Sequence, residues 1–130
     1  MRIFITGAPG SGKSTMAFKE FKDNFHRVCT DSYMTHGYKE SIYAIIEDLE
    51  IGHLRHIQDI IIEGVQVPRL LRKIEELNKH DLLPDLIVWL DYDHVAPRHI
   101  SMEKGMRKIF DEYLTIRQIN VDIDHIRYKK

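Results

Sequence analysis

The chain has one cysteine, Cys29, among its 130 residues. A lone thiol excludes an internal disulfide framework, so packing has to hold the fold, and a reducing, cytoplasmic setting fits. Long apolar runs are missing as well. Nothing approaches the roughly 20 residues a membrane-spanning helix needs, and Met1 leads straight into a strand pattern rather than a leader. Charge of one sign is also lacking. The formal net charge is −1, so no global field draws the molecule to nucleic acid or a membrane, and any polyanion contact has to be local. Repeats, low-complexity stretches and an interdomain linker are absent too, so residues 1–130 read as one domain with a modest core.

What is present is an alternation of strand and helix patterns. Arg2–Thr6 reads as a buried strand, followed by a glycine-rich turn and a helix over about Lys13–Lys22. A short strand covers His26–Thr30, and Asp31–Gly37 is too polar and Gly-marked for regular structure. A helix follows over Lys39–Ile51, with Ile42, Ile45, Ile46 and Leu49 on one face and Gly52 as its stop. Asp59–Glu63 is the clearest buried strand, and Pro68 suits the first turn of a helix with an apolar stripe of Leu70, Leu71, Ile74 and Leu77. Leu86–Leu90 is the fourth strand. The last helix, about Ser101–Ile116, has Met102, Met106, Ile109, Phe110, Tyr113 and Leu114 as its packing face. Ile119, Val121 and Ile123 alternate with polar residues as an edge strand would, leaving Arg127–Lys130 as a solvated basic tail. Such alternation predicts an α/β fold with a mostly parallel sheet covered on both faces and ligands at the strands' carboxyl ends.

The most specific stretch lies between the first strand and the first helix. Gly7-Ala8-Pro9-Gly10-Ser11-Gly12-Lys13-Ser14-Thr15 satisfies G-x-x-x-x-G-K-[ST], the phosphate-binding loop, in its required setting. Its glycines let the backbone aim several N–H groups at one anion, and the helix start adds its dipole there. Lys13 can reach the outer phosphates of ATP or GTP, and the Ser14 hydroxyl can ligate Mg²⁺.

With Asp31 after the second strand, Glu63 after the third and Arg98 and Arg107 after the fourth, this loop resembles the P-loop kinases. These are nucleoside, nucleotide and polynucleotide kinases built on an adenylate-kinase-like core. The resemblance spans nearly the whole chain in element order, but only the loop is specific at the level of letters. It implies a three-layer α/β/α P-loop NTPase fold with five strands ordered 2-3-1-4-5. It also implies ATP- and Mg²⁺-dependent transfer of the γ-phosphoryl group.

Thr30-Asp31-Ser32-Tyr33 looks like the D-x-[FY] turn of kinases that phosphorylate a hydroxyl. There, Asp31 would accept the proton; an Asp that merely caps a turn is the other reading. Glu63 resembles the acid of a Walker B strand, holding Mg²⁺ through water or orienting the acceptor. Asp91 also fits the letters, and family order favours Glu63. Glu63 to Arg69 resembles the D-G-F-P-R loop of adenylate kinases, which would turn Gln66 and Arg69 toward the acceptor. Arg98 and Arg107, with Lys104 and Lys108 behind them, are the candidates for a charge-stabilising lid. Equally, Glu103–Arg107, Arg107–Asp111 and Lys108–Glu112 are spaced to lace a surface helix. The short span before the last helix leaves room only for a small lid. The acceptor stays open among a small metabolite, a nucleoside or nucleotide, and a nucleic-acid end. A nucleoside monophosphate kinase and a non-catalytic nucleotide-binding regulatory or assembly protein are the rivals. Open sheet edges suit a homodimer as well as a monomer. Cys29 reads as a buried inert thiol, His53 and His56 as surface residues, and Trp89 as core.

Overall fold

The computed structural model describes residues 1–7, 25–33, 37–91, 95–117 and 124–129. Five strands, β1 (Arg2–Gly7), β2 (His26–Cys29), β3 (Ile60–Glu63), β4 (Leu86–Asp91) and β5 (Asp124–Lys129), form one sheet ordered β2-β3-β1-β4-β5. Every neighbouring pair is parallel. The helices are α1 (Tyr38–Glu50), α2 (Val67–Glu76) and α3 (Ile100–Arg117). The chain is therefore α/β, as its alternating pattern implies. Among the described residues no helix is long and apolar enough to cross a membrane.

Register decides which side chains share a face. Phe4 pairs with Ile62 and Ile87, and Val28 with Ile62; these residues form one cluster with the apolar stripes of α1, α2 and α3. Successive strand residues point to opposite faces, so Ile3, Ile5, Ile61, Val88 and Leu90 make a second cluster on the other face. All three described helices thus lie on one face. Each connects strands that advance in the same direction across the sheet, and a right-handed crossover puts such connections on a common side.

Helix ends follow local chemistry. Gly37 precedes α1 at φ 98°, a conformation that suits glycine. α2 ends in a Schellman turn: Asn78 adopts φ 54°, and the amides of Asn78 and Lys79 donate to the carbonyls of Glu75 and Ile74 at 3.1 Å. That exit, at the expected Asn78, leaves Leu77 37% exposed, outside the stripe expected for it. On α3, Met106, Phe110 and Tyr113 are buried, whereas Met102 is exposed and Ile109 half-buried. Trp89 is core and stacks on Phe110 with ring centroids 4.9 Å apart.

Two expectations change. The polar segment after β2 begins with a 3₁₀ turn over Thr30–Tyr33, because the Ser32 Oγ donates to the Cys29 carbonyl at 2.7 Å and closes the chain on itself. The expected edge strand Ile119–Ile123 lies outside the described residues. Asp124–Lys129, whose basic end was expected to be a solvated tail, pairs with β4 along its full length. The expected first helix, Lys13–Lys22, lies outside the described residues.

Phe110→Ala should cost about 3–5 kcal/mol in urea denaturation, because it removes the ring stacked on Trp89 and leaves a cavity. Met102→Ala should stay within about 0.5 kcal/mol.

Candidate functional site

Parallel strands end on the same side, so the carboxyl ends of β1 to β4 bring Gly7, Cys29, Glu63 and Asp91 to one edge of the sheet. Both β3 and β4 flank β1, so adjacency alone does not choose between the acids that end them. Glu63 is enclosed at that edge, only 2% exposed.

Glu63 sits in register with Ile5 of β1 and Cys29 of β2. The Cys29 thiol meets the Glu63 carboxylate and the Asp31 backbone amide. Burial pushes that thiol up from its ordinary range. The Asp31 amide works against the rise, and the charges of Glu63 and Asp31 add to it. The thiol is therefore protonated near neutrality and donates toward Glu63. It is half-buried, so the expectation of full burial is corrected while inertness remains the sensible reading. Two carboxylates thus flank one neutral thiol, with Asp31 exposed and Glu63 enclosed.

The turn that carries Asp31 is braced from behind. The Tyr33 hydroxyl donates to Asp48 Oδ2 at 2.6 Å, and burial together with that carboxylate raises the phenol well above its ordinary range. His53 Nδ1 lies 3.4 Å from the same Asp48 oxygen, a surface histidine engaged at its own helix end. Ser41 Oγ donates to the carbonyls of Tyr33 and Gly37, tying the turn to the start of α1.

Gly64 follows Glu63 at φ 153°, and a Cβ there would fall 1.8 Å from Thr30 Oγ1. The loops after β2 and β3 therefore pack backbone against side chain with no room for even a methyl group. Beyond Gly64, Gln66 is 4% exposed and its carbonyl accepts from the amides of Arg69 and Leu70 at 3.0 and 3.1 Å, opening α2. Among the described residues its Oε1 has no hydrogen-bond partner. Arg69 is half-buried in the first turn of α2.

The proposed lid cations are engaged by their own neighbours. Arg98 is exposed in the turn Pro97–His99 and contacts the neighbouring His99 at 3.4 Å. Arg107 is held by Glu103 at 2.7 Å and lies over the Trp89 ring, 5.2 Å from its centroid. Of the proposed phosphate-loop residues, Gly7 ends β1, while Ala8, Pro9, Gly10, Ser11, Gly12, Lys13, Ser14 and Thr15 lie outside the described residues. The structure thus brings Asp31 and Glu63 together and puts Gln66 and Arg69 at the start of the helix that follows. It adds Cys29, Thr30 and Gly64, which sequence reasoning passed over. Their signal was positional: Cys29 and Glu63 each close a strand, and aligned strand ends become neighbours in a parallel sheet.

No protein-family model and no curated protein matches this chain.

Gly64→Ala should lower stability by about 2 kcal/mol or more, through both steric conflict and backbone strain. Thr30→Ala in the same chain should recover part of the loss in a double-mutant cycle followed by thermal denaturation.

Proposed function

We propose that this chain is a P-loop kinase that moves the γ-phosphoryl group of ATP or GTP to a hydroxyl. The observation that carries this reading is the motif Gly7–Thr15, which begins on the last residue of the central strand of a parallel sheet. The carboxyl end of a central strand is where open α/β sheets bind ligands. The strand order is the one the kinase family implies.

In this reading Lys13 and the loop amides hold the β- and γ-phosphates, and Ser14 offers a hydroxyl to Mg²⁺. A buried carboxylate at the neighbouring strand end, Glu63, fits a hard cation held through water. Mg²⁺ would neutralise charge on the phosphates. Asp31, exposed and beside the site, accepts the proton of the incoming hydroxyl. Gly64 keeps the Asp31 and Glu63 loops at a fixed separation. Gln66 and Arg69 would orient the acceptor, and Arg98 and Arg107 would balance developing charge.

One observation favours the non-catalytic alternative, a protein that binds nucleotide without transferring from it. Arg107 is already committed to Glu103 and Trp89, so offering it to a phosphate means breaking an existing ion pair.

Lys13→Ala should weaken MgATP binding at least tenfold by calorimetry. In acceptor screens with labelled ATP, Asp31→Asn should reduce transfer about 10²–10⁴-fold while ATP affinity holds. Transfer at full rate in Asp31→Asn removes the base assignment. Tight binding with no transfer to any acceptor selects the non-catalytic alternative.

A further inference from the structure

Buried polar atoms need partners, and three side chains near the carboxyl ends of the strands are short of them. Thr6 is fully buried, Thr30 is 1% exposed and Gln66 4% exposed. Among the described residues, no hydrogen-bond partner reaches Thr6 Oγ1, Thr30 Oγ1 or Gln66 Oε1. An orphaned buried oxygen costs the full desolvation of its group, so three of them in one place call for a shared occupant.

The strand ladder puts them in one place. Glu63 pairs with Ile5 of β1 and Cys29 of β2, and the Gly64 amide extends the first pairing by donating to the Ile5 carbonyl at 3.0 Å. One step further on, Gly64 lies between Thr6 and Thr30. Side chains alternate along a strand, so Thr6 follows Phe4, and Thr30 follows Val28, onto the face of the main core. Thr30 leans over the glycine, its Oγ1 1.8 Å from where a Gly64 Cβ would stand. Two strands that flank a third are about 10 Å apart, too far for short side chains to meet directly. A water between two hydroxyls adds about 5.5 Å of reach. Gln66 comes from a third side. It stands two residues beyond Gly64 and precedes α2, whose buried Val67, Leu70 and Leu71 belong to that same core.

We propose that Thr6, Thr30 and Gln66 enclose one ordered water. The lining suits it: each hydroxyl can donate or accept, whereas the Gln66 oxygen only accepts, so a water that donates to Gln66 completes its bonds with the two threonines. A cation suits the place less well. Glu63 alternates to the opposite face, so among the described strand residues no carboxylate turns toward the threonines to balance a buried charge. The consequence is mechanical. Thr6 precedes Gly7, Thr30 precedes Asp31 and Gln66 opens α2, so one water ties three chain exits together. The site does not rest on the kinase reading; where both hold, Gln66 keeps its Nε2 end for the acceptor.

The test turns on a sign. Thr6→Val, Thr30→Val and Gln66→Met keep side-chain size and remove the polar atoms. If the three share a water, each should lower the thermal midpoint by about 3–5 °C. Thr6→Val/Thr30→Val should then cost less than the two singles together, because the first change already loses the water. Midpoints that rise or hold in all three would mean that no partner was lost, which overturns the proposal. If a variant misfolds, a wild-type crystal structure at about 1.5 Å decides: a solvent peak within about 3.2 Å of all three oxygens is expected, and its absence overturns the site. A midpoint raised by K⁺ over choline at matched ionic strength, with the rise lost in Thr6→Val, would assign a monovalent cation and overturn the water. The solvent peak in a protein that binds no MgATP by calorimetry keeps the water and sinks the kinase; MgATP binding without the peak does the reverse.

Discussion

Strand β1 is bonded on both edges, to β3 through the register Ile5–Glu63 and to β4 through Gly7–Leu90. Everything else in the molecule is arranged around that strand. Ile3, Phe4 and Ile5 are fully buried, so β1 cannot slip or twist without opening both faces of the core. A loop that leaves its carboxyl end therefore starts from a fixed position. Phosphate binding by main-chain amides needs that rigidity, because its strength comes from donors already aimed before the anion arrives.

The same constraint organises the neighbouring acids. Parallel pairing in register aligns strand ends, so Glu63 is delivered beside Cys29 and next to the turn holding Asp31. Thr30 against Gly64 then fixes how closely the two loops approach. Tyr33, Asp48 and Ser41 tie the Asp31 turn to α1, whose apolar stripe belongs to the main core. Rigid elements thus support the candidate site from below, with short loops above, as precise positioning of charged groups requires.

Much of this was legible in the sequence, for reasons that particular residues make clear. Ile60-Ile61-Ile62 can hardly be anything but a buried strand, and the Leu70, Leu71, Ile74 spacing declares one helical face. Legibility failed where an end effect overruled a period. Leu77 continues the stripe on paper, yet it is the last position before Asn78, in the expected exit Asn78–Asp81, turns the chain out at φ 54°, and it is left 37% exposed. Met102 fits the face of α3 but lies in its first turn, ahead of the point where β4 and α2 cover the helix. The basic C-terminal residues read as a tail because Arg, Tyr and Lys carry no core signal. Their pairing depends on β4 offering an open edge, which only topology reveals. At the site, the acids were visible as letters after strands. That a thiol meets them, and that a glycine lets their loops pack this closely, came only from the structure.

The central claim is that amides at the end of β1 grip a nucleoside triphosphate, with Asp31 and Glu63 alongside. A ¹H–¹⁵N NMR titration with a non-hydrolysable ATP analogue and Mg²⁺ tests it residue by residue. The account predicts saturable shifts concentrated in the amides of Gly7–Thr15, Thr30–Ser32 and Glu63–Gly64. Unmoved resonances there at millimolar analogue, or shifts confined to α3 and β5, would contradict it.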